Sequence, residues 1–194
     1  MGSTAGQADG PLLDVLAGHA FARVASAACS SGNAVRILRD GTENYPAWLA
    51  AIDAAAHSVH LENYIVADDA VGRSFAAALI AAARRGVRCR VLYDSFGCRG
   101  RASPSFWRDL RRGGVAVRGY NPFRWAKPLG GLSRDHRKLV CVDGRVGFTG
   151  GLCIGHQWQG DPARGIAPWR DTAVEIRGPA VAHLQAAFAD SWKA

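Results

Sequence analysis

The residues best suited to chemistry stand in one run, Asp135-His136-Arg137-Lys138-Leu139-Val140-Cys141-Val142-Asp143-Gly144, which contains His-x-Lys-x4-Asp. The apolar stretch that follows reads as a strand, and on a strand residues two apart share a face. His136 and Lys138 therefore converge on one spot, while Arg137 points away. An imidazole beside an ammonium suits a phosphodiester, with the ring as nucleophile at phosphorus and the cation over the non-bridging oxygens. Lysine is a specific choice here, because only three of the 24 basic residues are lysines: Lys127, Lys138 and Lys193.

Two downstream segments add to this pair. Gly147-Phe148-Thr149-Gly150-Gly151-Leu152-Cys153-Ile154-Gly155 leads a strand into a glycine-rich turn, where backbone N–H groups can come close to an anion. Trp169-Arg170-Asp171-Thr172 places a carboxylate at the start of another strand. Such a group can take the Nδ1 proton of a histidine and leave Nε2 free to attack.

The elements that must position these groups follow from periodicity and turn residues. Helices are predicted over Pro11–Ala28 (Leu12, Leu13, Leu16, Phe21 and Val24 near one face), Tyr45–Ala56 with Pro46 in its first turn, Val71–Arg85, Ser103–Arg112 and Pro179–Trp192. Strands are predicted over Ala34–Leu38, closed by a turn at Asp40-Gly41, then Ser58–Val66, Val87–Tyr93, Val115–Tyr120, Lys138–Val142, Val146–Thr149 and Asp171–Ile176. Asp143-Gly144 is a hairpin turn signature. These seven strands in β-α-β order predict an α/β fold around one mixed sheet. Residues 1–10 are expected to be disordered and 11–194 to form a single lobe.

Composition narrows the partners. With 194 residues, 48% hydrophobic and 21% charged, the chain is globular rather than disordered. A net charge of +8 favours phosphate esters, nucleic acid or an acidic lipid surface. No run of about eighteen apolar residues exists, and Met1-Gly2-Ser3-Thr4-Ala5 lacks the basic start of an export signal, so the expected location is cytoplasmic. Five cysteines without C-x-x-C spacing indicate neither a disulfide framework nor a zinc site; no metal and no cofactor are expected. The segment from Asn121 to Leu129 mixes Phe123, Arg124, Trp125 and Lys127, which suits both an acidic membrane headgroup layer and a loop covering the core.

Across about Asn33 to Trp192 the sequence resembles the phospholipase D superfamily, and more narrowly its bacterial cardiolipin synthase-like branch. The likeness runs through Asp40-Gly41-Thr42-Glu43-Asn44-Tyr45, Val59-His60-Leu61-Glu62-Asn63-Tyr64, the segment from Gly86 to Asp94, His136 to Gly151, and Trp169-Arg170-Asp171-Thr172. The resemblance implies an α-β-α sandwich and metal-independent transfer through a phosphohistidine. It casts His136 as nucleophile, Lys138 as phosphate clamp and Asp171 as the carboxylate orienting His136, with Asp143 organising its turn. Glu62 has two readings, as a residue lining the substrate site or as a member of a buried ion pair. Family members usually carry asparagine where this chain has Cys153, a poor replacement for an amide donor. The backbone of Gly150 and Gly151 is the alternative source of a second donor to the phosphate.

The resemblance also implies that two such motifs build one active site, because a second histidine must protonate the leaving oxygen. This chain carries one motif. It is therefore expected to be the amino-terminal half of a two-motif enzyme or to pair with itself about a two-fold axis, and the order of the segments favours the first. The leading expectation is phosphodiester transfer or hydrolysis on phospholipid, with peripheral association at the inner face of an acidic membrane. Two alternatives stand beside it: a phosphodiesterase on nucleic acid acting as a homodimer, and a non-catalytic lobe that binds phosphate or membrane.

Overall fold

The computed structural model describes residues 10–25, 29–122 and 133–193. The chain divides into two compact units, Met1–Gly32 and Asn33–Ala194. In the first, helix α1 (Gly10–Ala25) carries the exposed apolar side chains Leu16, Phe21 and Val24. Residues 1–9 and the greater part of the aromatic and basic 121–129 segment fall outside the described residues. No helix among those described is long and apolar enough to cross a membrane.

The second unit is built on one mixed seven-stranded sheet in the order β1-β7-β6-β5-β2-β3-β4. Strands β2 (Ser58–Asn63), β3 (Arg88–Asp94) and β4 (Ala116–Tyr120) run parallel, and helices α3 (Ala70–Arg84) and α4 (Pro104–Arg112) make the crossovers. Strands β5 (Leu139–Val142), β6 (Val146–Gly150), β7 (Thr172–Arg177) and β1 (Ala34–Arg39) continue antiparallel. The central strand β2 is buried along its whole length, as expected for a strand covered on both faces.

Alternation along the strands divides the core. One face presents Val59, Leu61, Val91, Val140, Phe148 and Ala173 to α2 (Asp40–Asp53), α3 and α4. The other presents Leu92, Leu139 and Cys141 to α6 (Ala180–Lys193), whose Phe188 stacks on His60. Layers of helix, sheet and helix result. The approach of α6 is close enough that a Cβ on Gly147 would lie 2.7 Å from Leu184 Cδ1.

Several boundaries differ from the sequence expectation. Asp40-Gly41 is no separate turn: Asp40, at φ 48°, reverses the chain in one residue and α2 starts there. Asp40 N–H donates to the Asp171 carbonyl at 3.0 Å, and Asp171 N–H donates to Asp40 Oδ1 at 2.7 Å. That reciprocal pair joins the end of β1 to the start of β7, and Pro46 consequently lies inside α2 rather than in its first turn. Strand β2 stops at Asn63, with Val66 making an isolated bridge to Ile154. A short helix, α5 (His156–Gln159), gave no periodicity to read.

The hairpin at Asp143-Gly144 is present, both residues having the positive φ that such a turn requires. Its carboxylate does more than close the turn. Asp143 accepts the backbone N–H groups of Ala56, His57 and Ser58 at 2.7–2.8 Å, tying the start of β2 to the β5–β6 corner. Burial opposes the charge, but the three donors outweigh it and hold the carboxyl below its usual range. A depressed acid stabilises the fold above its unfolded value and loses that contribution as the pH falls through the folded one. Asp143→Ala should therefore cost about 2 kcal/mol at neutral pH. In urea titrations the gap from the parent should close as the pH drops below about 4.

Candidate active site

Lys138 and His136 lie just before β5 rather than on it, in the segment that enters the sheet beside the carboxyl-terminal end of β2. Lys138 is 5% exposed, whereas the His136 ring is exposed above it. Their functional groups meet: Lys138 Nζ stands 2.9 Å from His136 Nδ1 and donates to the His136 carbonyl at 2.7 Å. The Tyr64 ring completes the cradle, with its centroid 4.6 Å from the imidazole and 5.2 Å from Nζ. Burial draws the lysine's pKa down, while Cys153, Asp135 and Asp171 oppose that shift. Sequence reasoning missed Tyr64 as part of this site. Its signal was its place at the end of β2, opposite the segment that leads into β5.

While the lysine is charged, Nδ1 can only accept from it, which places the ring proton on Nε2. Asp171, expected to hold Nδ1, does not occupy that position. Its Oδ1 accepts Thr172 N–H at 2.7 Å, and the carboxylate lies against the glycine turn, where a Cβ on Gly151 would be 2.5 Å from Oδ1. The structure thus seats Asp171 against Gly151, next to Gly150, while its charge still acts on Lys138. Gly150 and Gly151 are exposed.

Glu62 lines no substrate surface. It is fully buried, and its Oε1 faces Arg137 Nη1 at 3.4 Å. Arg137 turns away from the histidine, as alternation required, and reaches α6, donating to the Ala187 carbonyl at 2.7 Å and Ser191 Oγ at 2.8 Å. Asp143 sits at the far end of β5, so the last member of the sequence motif is remote from the imidazole. Asp94 and Asp135 are two further residues that the motif did not reveal. Asp94, 1% exposed, ends β3 and accepts Phe96 and Gly97 N–H groups, while its other oxygen accepts Asp135 N–H at 2.8 Å.

Cys153 is buried, and burial raises its pKa, so the thiol stays neutral. The segment that carries it is fixed from beneath by Tyr45, whose hydroxyl meets the Cys153 carbonyl at 2.7 Å and the Gly155 carbonyl at 3.0 Å. Tyr45→Phe leaves both buried carbonyls without that partner and should lower stability by about 1–2 kcal/mol in chemical denaturation; an unchanged midpoint would show that the turn holds itself.

Comparison with known proteins places these features in context. A family model described as cardiolipin synthase, PLD-like domain, matches residues 48–192. Cardiolipin synthase A of Pseudomonas entomophila is 39% identical over 166 residues, which covers 84% of this chain and 34% of the relative. The cardiolipin synthase of Halalkalibacterium halodurans is 37% identical over 172 residues, covering 88% and 34%. The chain thus spans about a third of the length of the curated relatives it matches. Among solved structures, Nuc from Salmonella typhimurium, a phospholipase D family member, aligns with a TM-score of 0.64 at 22% identity, covering 84% of this chain and 95% of that one. NucT from Helicobacter pylori aligns at 0.59 with 12% identity, covering 84% and 96%. Both share the fold.

Proposed function

This chain belongs to the phospholipase D-like domain family of cardiolipin synthases, and we propose that it is a one-motif lobe acting on phospholipid phosphodiesters through a phosphohistidine on His136. The observation that carries this reading is the exposed imidazole seated 2.9 Å from a buried ammonium. An exposed ring can meet a substrate, and a cation held out of water acts strongly on a phosphate placed beside it.

The first step begins with Lys138. Drawn to the non-bridging oxygens of the diester, its ammonium releases Nδ1; water takes the proton from Nε2 and another returns one to Nδ1, a tautomer that the negative charge of Asp171, already felt by Lys138, favours. Nε2 then attacks phosphorus in line: the N–P bond forms, the P–O bond to the leaving alcohol breaks, and that oxygen needs a proton. Backbone N–H groups of Gly150 and Gly151 supply donors to the phosphate in place of the side-chain amide that Cys153 lacks. Asp143 acts on the fold alone.

The proton for the leaving oxygen comes from the imidazole of a second lobe, since the ring contacts described for His136 are with Tyr64 and Lys138. A second alcohol or water then attacks the phosphohistidine, giving transfer or hydrolysis. A chain of net charge +8 is drawn to acidic bilayers, in keeping with peripheral residence at the inner face of the membrane. The test is to incubate the protein with phosphatidylglycerol carrying radioactive phosphorus. Acid-labile label should appear on the parent chain and vanish in His136→Ala, and multiple turnover should stay at least about a hundredfold below that of the same chain supplied with a second lobe. Equal labelling of His136→Ala, or brisk turnover by a proven monomer, refutes the proposal.

A further inference from the structure

Three buried carboxyl groups converge behind His136, and two of them have an oxygen with no donor. Glu62 Oε2 and Asp135 Oδ2 are both sealed from solvent and lack a hydrogen-bond partner, while the two side chains lie within hydrogen-bonding reach of one another. Two bare carboxylate oxygens cannot face each other in a low-dielectric interior without severe repulsion, but one proton between them turns the contact into a strong hydrogen bond. We propose that Glu62 and Asp135 share a single proton, and that this shared proton is a latch holding Asp135, and with it the adjoining His136, in place.

The charges around the pair agree with one proton. Asp94 faces Asp135 from the end of β3, Arg137 faces Glu62 from the segment before β5, and Lys138 interacts with Asp135. Ser191 on α6 and the neutral Cys141 thiol on β5 complete the surroundings. Three carboxyl groups face two cations, and one of those, Lys138, is shared with Asp171 as well, so negative charge is in excess and a proton on the pair relieves it. Burial first, then the Asp135 carboxylate, pushes Glu62 up to about 8, with Ser191 and Arg137 pulling the other way.

The latch has a direct line to the reactive ring. Asp135 N–H is fixed on Asp94, its Oδ1 accepts Arg137 N–H at 3.2 Å, and His136 lies between those two anchors. Loss of the proton sets two buried negative charges against each other at that point, and the histidine is the first group to move. The sign follows from linkage. A carboxyl raised from 4.5 to about 8 stabilises the fold most below 4.5, and that contribution declines as the pH rises to about 8.

This inference rests on the proposed role of His136, but the test separates them. Infrared difference spectra of the full chain should show a protonated buried carboxyl at pH 7 that disappears above about 8 and is absent at pH 7 in both Glu62→Gln and Asp135→Asn. Each amide donates permanently to the remaining carboxylate without needing a proton. In parallel, the His136 imidazole resonances, assigned by their loss in His136→Ala, should show an inflection with the same midpoint in the parent that is missing from the two amide variants. Phosphohistidine yield should fall at least about threefold between pH 7 and 9 in the parent and stay flat in the variants. Absence of the carboxyl band at pH 7 overturns the shared proton. A band whose loss leaves His136 unmoved, or variants that keep the parental pH profile, overturns the latch. A band and moving resonances without any phosphohistidine would leave the latch standing and refute the proposed function instead.

Discussion

A lysine ammonium taken out of water and set against an imidazole is the interaction on which the site depends. Removing a charge from solvent is costly unless each of its donors is matched, and Lys138 meets that demand with the His136 carbonyl, the Nδ1 lone pair and the face of Tyr64. Each partner comes from the end of a central strand or its lead-in. The sheet order, with β5 antiparallel beside β2, is what lets those ends meet. Burial at the sheet end and exposure at the ring coexist because the polypeptide enters β5 there, with the lysine inside and the histidine at the rim.

The same end of the sheet gathers the acids. Asp94 closes β3, Glu62 lies near the end of β2, and Asp135 precedes β5, so topology alone brings three carboxyl groups together. Arg137 is the counterweight that local alternation sends to the opposite face, where it reaches α6. Two residues adjacent in sequence to the histidine therefore have separate tasks: Asp135 is buried beneath it, and Arg137 reaches out along the opposite face.

Much of this could be read from the residues. Seven strands and the Asp143-Gly144 hairpin follow from two-residue alternation and from turn chemistry, which are local; His136 and Lys138 do meet, but in the lead-in to β5 rather than on the expected strand. What escaped was set by distant partners. Asp40 starts a helix because its carboxylate and N–H are engaged by Asp171, 131 positions away, and no local propensity encodes that pairing. Glu62 could be read as lining a pocket or as buried in an ion pair, since only the packing of α6 against β2 and β5 decides how deep it lies. Asp171 had the right residue type for orienting a histidine, but the side chain nearest Nδ1 was already present two residues further along.

Strand β1 carries a consequence of the lopsided covering of the sheet. Three helices cover one face and α6 the middle of the other, so Val35 and Ile37 remain 61% and 64% exposed on the outermost strand. An exposed row of branched apolar residues on an edge strand is a template for adventitious pairing between molecules. Arg36 alternates with those residues and Arg39 follows them on the same face, and Arg36 is anchored to Glu175 while remaining largely in solvent. Any incoming strand would have to strip water from guanidinium groups along its length, and in this way the rim is kept from seeding aggregates.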